Sequence, residues 1–237
     1  CDWSSDVCSS DLVETFDESV GRVMAALERN GLAGNTMVIL TSDNGGLCFE
    51  GRSTERVTDN SPLRAGKGHV YEGGIRVPLI VRWPGVARGG ISIETPVASI
   101  DLCPTLCEAA GLRARGLDGV SLLPALEGRP LPSRPLFWHY PHYSNQGGEP
   151  ASAVRDGDWK LIEFYAGERR ELYNLRNDPG EQRNLAGRQP ALARRLGLAL
   201  HSWLRQAGAR LPQPNPEADP NWPGLGLTGA ERPTPPL

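Results

Sequence analysis

The chain has 237 residues, 39% of them hydrophobic and 22% charged, and its formal net charge is -3 at pH 7. This composition is ordinary for a globular protein, and the length allows one larger domain, or one domain with a smaller one beside it. The small net negative charge gives no basic face, so we expect no nucleic acid as a partner. No apolar run approaches the ~20 residues of a membrane-spanning helix, so we expect no membrane span.

The first residues, CDWSSDVCSSDL, match the in-frame translation of a common sequencing-library adapter. We therefore expect residues 1–12 to be non-native, to pack against nothing and to have no defined structure. Two of the remaining cysteines, Cys103 and Cys107, are one turn apart in a predicted helix. Both thiols are expected to fill apolar core space.

Residues 13–130 have the pattern of a sheet covered by helices. The predicted elements, in chain order, are a helix over 13–29, buried strands over 36–41 and 77–83, and helices over 100–110 and 122–126. Residues 49–62 carry many polar groups without a period, so they are predicted to form a loop over a site. The sequence therefore predicts the late part of an α/β domain.

A stretch rich in proline and basic residues near position 130 marks a predicted boundary. Residues 131–211 follow as a subdomain with short strand patterns separated by Gly and Asp turns, which is typical of an antiparallel sheet. The predicted elements are strands over 136–140, 151–155, 159–164 and 171–174 and a closing helix over 190–206. Residues 212–237 are rich in Pro and Gly and are expected to be an extended or disordered tail.

Oxygen ligands follow the first predicted strand in the run Thr41-Ser42-Asp43-Asn44-Gly45-Gly46. Open α/β sheets bind ligands at the carboxyl ends of their strands. Carboxylate and amide oxygens suit calcium (Ca²⁺) better than zinc, which favours imidazole and thiolate. Asp-Asn-Gly by itself also favours an ordinary turn. The branched strand before Asp43 and Asn44, and the lysine segment after them, favour a cation site.

A second motif, residues 65–76, has the sequence AGKGHVYEGGIR. Glycine on both sides of Lys67 lets backbone and ammonium approach a tetrahedral anion without a Cβ in the way. Most lysines are simply solvated, but these neighbours favour an anion-binding role. His69 is a candidate substrate contact. Glu72 and Arg76 are expected to form a structural ion pair or hydrogen bonds that pin the loop.

The two motifs, in this order, resemble the type I sulfatases of the alkaline phosphatase superfamily, from about Val13 to about Trp203. The resemblance implies an α/β fold with a mixed sheet flanked by helices, followed by a small C-terminal α+β subdomain with an antiparallel sheet and a closing helix. It implies hydrolysis of sulfate esters, of carbohydrates or aryl compounds, with one divalent cation, usually calcium. Carried over to matching positions, Asp43 and Asn44 are metal ligands and Lys67 is the catalytic, sulfate-contacting residue.

Members of that family carry a Cys-x-Pro-Ser-Arg segment whose Cys, or a Ser in its place, becomes formylglycine, the group that attacks sulfur. None of the five cysteines of this chain is in such a segment. The resemblance therefore implies the C-terminal part of a sulfatase, inactive alone, with formylglycine and two further aspartate ligands encoded upstream. It also implies a periplasmic or extracellular location.

The segment 138–143, Trp-His-Tyr-Pro-His-Tyr, combines aromatic rings with imidazoles. Aromatic faces bind sugar or aryl rings and imidazoles donate to hydroxyls or sulfates, so His139 and His142 are candidate substrate contacts. His201, on the closing helix, is expected to be structural.

Two alternative functions stay open. One is a phosphodiesterase or phosphonate hydrolase of the same superfamily, which typically has His where this chain has Asn44; the other is a non-catalytic module that binds glycan through 138–143.

Overall fold

A computed structural model describes residues 5–48, 58–113, 115–213 and 215–216. In chain order its helices are α1 Ser5–Arg29, α2 Glu72–Ile75, α3 Leu102–Ala109, α4 Leu123–Leu126 and α5 Pro190–Gln206. Its strands are β1 Val38–Thr41, β2 Leu79–Arg82, β3 Leu136–Tyr140, β4 Ala151–Asp156, β5 Trp159–Phe164 and β6 Arg170–Asn174. Every predicted helix and strand is present to within two residues at its ends, except the start of α1, and α2 is an addition.

The chain divides into two compact units. The first unit comprises Cys1–Ser42 and Pro78–Ser133, and the second comprises Asp43–Val77 and Arg134–Leu237. The sequence predicts residues 43–77 to be part of the α/β domain, whereas in the structure they group with the C-terminal sheet. Within the described ranges, no helix combines the length and the apolar character needed to cross a membrane.

Helix α1 begins at Ser5, so the expectation that residues 1–12 have no defined structure is wrong for residues 5–12. Once a helix has nucleated, each further residue adds a hydrogen bond at little extra cost. This propagation extends the predicted helix of 13–29 toward the N-terminus. Leu12 is 71% exposed, and the expectation that residues 1–12 pack against nothing stays a prediction. Residues 1–4 lie outside the described residues.

The first unit contains a two-stranded antiparallel sheet in which Val38 of β1 lies opposite Arg82 of β2. Both strands are only half-buried, which corrects the prediction of buried strands. In β2 the residues alternate between the covered and the open face, and Ile80 is 60% exposed. Branched residues predict a strand whether one face or both faces are covered, so the sequence could not separate these cases.

The prediction that Cys103 and Cys107 fill the core is also wrong, because Cys103 is exposed and Cys107 is half-buried. The fully buried residues here are Asp101 and Thr105, at 0% and 1% exposure. The Asp101 carboxylate accepts from the backbone N–H groups of residues 98 and 120, at 2.8 and 2.9 Å. Thr105 Oγ1 donates to the Asp101 carbonyl at 2.6 Å. These hydrogen bonds satisfy the polar groups of Asp101 and Thr105, so both can be buried near Pro104, whereas Cys103 is exposed and Cys107 is half-buried.

The second unit is built on an antiparallel sheet with the strand order β3-β4-β5-β6. Successive side chains of a strand point to opposite faces, and both faces of this sheet are covered. On one face, Leu196 and Leu200 of α5 pack with Val154 and Leu161 in a buried cluster. On the other face, a second cluster joins strand residues to a chain segment from the second motif; its buried members are Val70, Tyr71, Ala151, Ala153, Ile162, Phe164, Tyr173 and Leu175. The segment that carries Lys67 is therefore packed on the C-terminal sheet.

Candidate functional site

Asp43 and Asn44 follow directly after β1 in chain order, as predicted. The Asn44 backbone N–H donates to Asp43 Oδ1 at 3.0 Å, and its Nδ2 donates to the Gly45 carbonyl at 3.0 Å. Asp43 is exposed and Asn44 is half-buried. The backbone bends at these two residues, and we call this bend the Asp43–Asn44 turn. The bend does not exclude a ligand role, because a carboxylate has two oxygens with about four acceptor positions.

The backbones of the two motifs are in direct contact. Gly45 N–H donates to the Gly74 carbonyl at 2.9 Å, and Lys67 N–H donates to the Gly46 carbonyl at 3.0 Å. We call residues 67–74 the Lys67 loop. The two bonds join the residues after Asn44 to both ends of this loop. The structure thus brings the backbones of the two motifs together, and a shared site for the side chains of Asp43, Asn44 and Lys67 stays a prediction.

Glycine is required at this junction because the two chains approach more closely than a side chain allows. A Cβ added to Gly45 would lie 1.7 Å from the Gly73 carbonyl oxygen, and one added to Gly66 would lie 2.2 Å from the Gly46 carbonyl oxygen. The sequence analysis attributes the glycine before Lys67 to the approach of an anion. In the structure, the space beside Gly66 is filled by protein backbone, so that glycine holds the two motifs together.

Asn60 ties the same backbones together with its side-chain amide. Nδ2 lies 2.9 Å from the Gly46 carbonyl, 3.0 Å from the Ala65 carbonyl and 3.3 Å from the Gly73 carbonyl. The amide has two N–H groups, so these contacts share its donors. The sequence predicts only a loop over 49–62, and it contains no local signal for this role, because the acceptors of Asn60 come from separate parts of the chain.

Lys67 is exposed. Among the residues that the structure describes, no carboxylate forms an ion pair with its ammonium, although its backbone is held by Gly46. An exposed ammonium that no carboxylate of the described residues neutralises can attract an external anion.

His69 follows Lys67 by two positions in the sequence and is partly buried. Its Nε2 is 3.0 Å from the Gln146 carbonyl oxygen. A carbonyl only accepts, so Nε2 carries the proton. Burial lowers the pKa of His69, which the hydrogen bond to Gln146 opposes. The ring is therefore neutral at neutral pH, and one of its nitrogens is already engaged with protein.

The loop 144–148, which follows the aromatic segment 138–143, packs on the Lys67 loop. Gly68 has a φ of +86°, and a Cβ there would lie 2.2 Å from Ser144 Oγ. A Cβ on Gly148 would lie 1.7 Å from the Gly68 carbonyl oxygen. Glycine is therefore favoured after Lys67 for two reasons, the left-handed backbone at that position and the close neighbour.

Both ring nitrogens of His139 have protein partners. Nδ1 is 2.7 Å from Ser152 Oγ, and Nε2 donates to the Arg210 carbonyl at 2.9 Å. His142 is exposed, with its ring edge-on to Tyr140 at a centroid distance of 5.3 Å. Substrate contacts by these histidines stay predictions, and the exposed His142 is the more accessible of the two.

Tyr71, in the same motif, is buried against the C-terminal sheet. Its hydroxyl donates to Glu171 Oε2 at 2.7 Å, and the Arg64 guanidinium lies 3.9 Å above its ring centroid. Glu171 also accepts from Tyr173 at 2.8 Å. Burial, together with the neighbouring Glu171 carboxylate, raises the pKa of the Tyr71 hydroxyl above its usual range. Tyr71 is therefore a structural anchor of the Lys67 loop.

Glu72 belongs to a group that we call the buried charge cluster, formed by Glu72, Arg155, Lys160 and Glu181. Lys160 Nζ lies 3.0 Å from Glu72 Oε1 and 2.9 Å from Glu181 Oε1, the latter an ion pair rather than a well-aligned hydrogen bond. Arg155 lies 3.3 Å from Glu72 Oε2. The Glu72 backbone N–H donates to Glu181 Oε2 at 2.7 Å. Burial raises the pKa of Glu181, and the nearby Lys160 opposes that rise.

The expectation that Glu72 has a structural role is consistent with this geometry, but its ion-pair partners among the described residues are Lys160 and Arg155, not Arg76. The contact of Arg76 with Glu72 is a backbone bond, from the Arg76 N–H to the Glu72 carbonyl at 2.8 Å. Glu72 and Lys160 are 88 residues apart in the sequence, so no local pattern could have paired them.

The oxygens of Asp43 and Asn44 fit a hard cation in their chemistry. Calcium takes about six to eight oxygen ligands, however, and the described ranges contain no group of three or more His, Cys, Asp or Glu residues that could hold a metal ion. These two residues would therefore supply a part of a calcium site. No cysteine of the chain fits formylglycine, because none lies in the required segment.

Two family models match the chain. The model for sulfatase matches residues 4–112, and the model for the C-terminal part of N-sulphoglucosamine sulphohydrolase matches residues 65–207. The chain belongs to the sulfatase family. It is 40% identical over 219 residues to a sulfatase of Formosa agariphila, covering 81% of this chain and 38% of that protein. It is 35% identical over 200 residues to human arylsulfatase A, covering 75% of this chain and 38% of that protein.

Several solved structures share the fold of this chain. A structure of Ps i-CgsB in complex with k-i-k-neocarrahexaose has a TM-score of 0.68 at 30% identity, over 79% of this chain and 40% of that one. A protein in complex with its substrate D-glucosamine-2-N,6-O-disulfate has a TM-score of 0.65 at 26% identity, over 83% of this chain and 39% of that one. A phosphonate monoester hydrolase from Silicibacter pomeroyi has a TM-score of 0.57 at 27% identity, over 81% of this chain and 38% of that one. The alkaline phosphatase-like fold is thus confirmed, and the sulfatase chain spans well under half the length of these relatives.

Proposed function

We propose that this sulfatase chain contributes the lysine and part of the cation site of an enzyme that hydrolyses sulfate esters. The observation that carries the proposal is the pair of backbone hydrogen bonds from Gly45 and Lys67 that join the two motifs. They hold an exposed carboxylate, an amide and an exposed ammonium in one region of the second unit. That combination suits a substrate whose anionic group binds a cation and an ammonium together.

In this proposal the Lys67 ammonium contacts a sulfate oxygen. Negative charge builds on the substrate oxygens as the ester sulfur–oxygen bond breaks, and a charge fixed in advance stabilises that state. Groups of this kind contribute roughly 10²- to 10³-fold in rate. Calcium, when held by Asp43 and Asn44 with other ligands, would polarise the sulfate as a Lewis acid. No residue of this chain is assigned as the attacking group.

We propose a sulfated glycan as the substrate class. Two solved relatives were crystallised with a neocarrahexaose and a disulfated glucosamine. In the chain itself, the loop 144–148 packs on the Lys67 loop, so the preceding segment 138–143 leads toward the site. Tyr143 is 64% exposed and His142 is exposed, and an exposed aromatic ring offers a face to a sugar. Calcium binding and a periplasmic or extracellular location remain parts of this proposal.

The test uses a protein of full family length that contains this chain, and it measures sulfate release from an aryl sulfate together with bound metal. We expect Asp43→Ala to lose both metal and activity, because removal of an anionic ligand weakens cation binding directly. The matched control is Asp118→Ala, an exposed carboxylate in the first unit. Full metal content in Asp43→Ala would remove the aspartate from the cation site.

The phosphonate hydrolase alternative is tested in the same assay. Asn44 favours the sulfatase, since the alternative typically has His at that position, whereas the likeness to a phosphonate monoester hydrolase keeps the comparison relevant. An aryl phosphonate offered beside the aryl sulfate decides between them. Faster turnover of the phosphonate would reverse the assignment, and glycan binding without any turnover would favour the non-catalytic module.

A further inference from the structure

Lys160 is the largest of the fully buried side chains that carry a charge, and the site described above makes no direct use of it. It lies on β5 with 0% exposure, and its two carboxylate partners, Glu72 and Glu181, are 1% and 0% exposed. Burying an ion pair removes both charges from water, and apolar residues of similar volume are often at least as stabilising. A cluster of this kind is therefore not explained by stability alone.

The cluster is connected to the Lys67 loop through Glu72. Glu72 is the first residue of α2, and the next two residues are Gly73 and Gly74. Gly74 accepts from Gly45 of the Asp43–Asn44 turn at 2.9 Å, and Gly73 N–H donates to the Arg64 carbonyl at 2.9 Å. A shift of Glu72 would therefore move the glycines that join the two motifs.

Glu181 has a strained backbone that supports the same interpretation. Its φ is +52°, a left-handed conformation that is uncommon for a residue with a side chain. Such conformations cost free energy and persist where the surroundings over-determine them. Here Glu181 accepts from the Glu72 backbone N–H at 2.7 Å through Oε2, and Oε1 faces Lys160. The strained residue thus holds both the loop and the strand.

We propose that Lys160 is a positioning residue for the proposed sulfate-ester site. It fixes Glu72, and through Gly73 and Gly74 it fixes the backbone that carries Lys67 and the Asp43–Asn44 turn. Apolar packing is non-directional, whereas an ammonium between two carboxylates favours one position of α2 on the sheet. The inference rests on the proposed function for the chemistry, but the mechanical link is testable without it.

The experiment uses the variant Lys160→Met with Glu181→Gln. It removes one charge of each sign, so Glu72 keeps Arg155 as a partner, and the new side-chain amide at position 181 keeps an acceptor for the Glu72 N–H. The control is Arg195→Met with Asp156→Asn, which removes an exposed pair of the same two signs, 3.0 Å apart, from the same unit. Hydrogen exchange is measured in the 237-residue chain at the amides of Gly45 and Lys67 and at those of β4 and β5.

We expect exchange at Gly45 and Lys67 to rise by about tenfold in the Lys160 variant, with the β4 and β5 amides unchanged and the control variant at wild-type values. An equal rise in the sheet and the loop would show a general structural role and overturn the proposal, as would no rise at all. If the double variant fails to fold, the measurement is repeated on Lys160→Gln with Glu181→Gln, which removes the same two charges but keeps a hydrogen-bond donor at position 160, and the same outcomes decide.

A kinetic arm in the full-length protein separates positioning from stability. Misplacement of a group that acts mainly in the transition state lowers kcat with little change in KM, so we expect a fall in kcat of about tenfold at nearly constant KM. Wild-type kcat in a folded variant would overturn the positioning proposal. No sulfate release by the wild-type protein would instead overturn the proposed function, and the exchange result would still decide whether Lys160 holds the loop.

Discussion

The motif of residues 65–76 has two ends with opposite properties. At one end Lys67 is exposed and, among the described residues, its side chain forms no ion pair. At the other end Tyr71 and Glu72 are 7% and 1% exposed and bind the C-terminal sheet through Glu171 and Lys160. The difference shows that, within one short segment, an exposed ammonium lies only a few positions from residues that are buried against the sheet.

From this separation we expect mutations at the two ends of the motif to have different effects. Changes at the exposed end should alter activity and leave folding intact, whereas changes at the buried end or at the glycine junction should lower the free energy of unfolding first. The predictions below test that contrast, beginning with the largest effect.

The largest effect is expected for Lys67→Ala in the full-length protein. Turnover of an aryl sulfate should fall by about two to three orders of magnitude, because the fixed charge acts most strongly where negative charge accumulates. Lys67→Arg should restore only part of the rate, since a planar fork does not reproduce a compact ammonium. The thermal midpoint of either variant should match that of wild type. Wild-type turnover in Lys67→Ala would remove the lysine from the mechanism.

The glycine junction should show the opposite behaviour. Gly45→Ala places a Cβ 1.7 Å from the Gly73 carbonyl oxygen, and overpacking against backbone costs about 1–3 kcal/mol. We expect a loss of that size in the free energy of unfolding of the chain, measured by urea titration. The control is Gly187→Ala, where an added Cβ meets nothing within 4 Å. Equal stability of the two variants would mean that the motifs can separate without cost.

A smaller loss is expected for Tyr71→Phe, which removes one hydroxyl from the anchor. That hydroxyl donates to a carboxylate oxygen of Glu171 at 2.7 Å, and a hydrogen bond to a charged group is worth about 1.5–3 kcal/mol. Glu171 keeps Tyr173 and Arg169 as donors, so the loss should lie at the lower end of that range. The same change at Tyr143, which is 64% exposed, should have no measurable effect. A loss as large in Tyr143→Phe would contradict the anchor assignment.

The sequence predicts the local features of the molecule well and the distant contacts poorly. The strands of the C-terminal sheet and the closing helix α5 follow from periodicity and turn residues, and their bounds agree with the structure. The two motifs identify the family because residue order alone carries that signal. Burial is less predictable: Cys103 has the spacing of a core residue but is exposed, whereas Pro104 and the hydrogen-bonded Thr105 of the same helix are buried.

Within the candidate site, the sequence points to candidate residues at the exposed end, whose roles stay predictions, and it misses the buried residues that support them. Lys160 and Asn60 have no unusual neighbours in sequence, and their roles arise only when distant segments meet. The same limit explains why glycine beside Lys67 is interpreted from the sequence as space for an anion. In the structure, the space beside Gly66 is occupied by the Gly46 carbonyl group.

The smallest effect is expected at His69, which lies between the two ends of the motif. Burial lowers its pKa in the folded chain, whereas the unfolded chain has the ordinary value of about 6.5. Below that pH the unfolded state takes up the proton first, so this contribution to stability is present above pH ~6.5 and is lost as the pH falls toward the folded-state pKa. For a single proton the slope cannot exceed about 1.4 kcal/mol per pH unit.

His69→Gln tests this sign directly, because glutamine does not titrate and still offers an N–H to the Gln146 carbonyl. We expect the free energy of unfolding of the wild-type chain to fall more steeply between pH 7 and pH 5 than that of the variant, in urea titrations at matched ionic strength. Parallel pH curves for wild type and His69→Gln would show that His69 takes up a proton as easily in the folded chain as in the unfolded one. That result would contradict the assignment of His69 to the buried part of the motif.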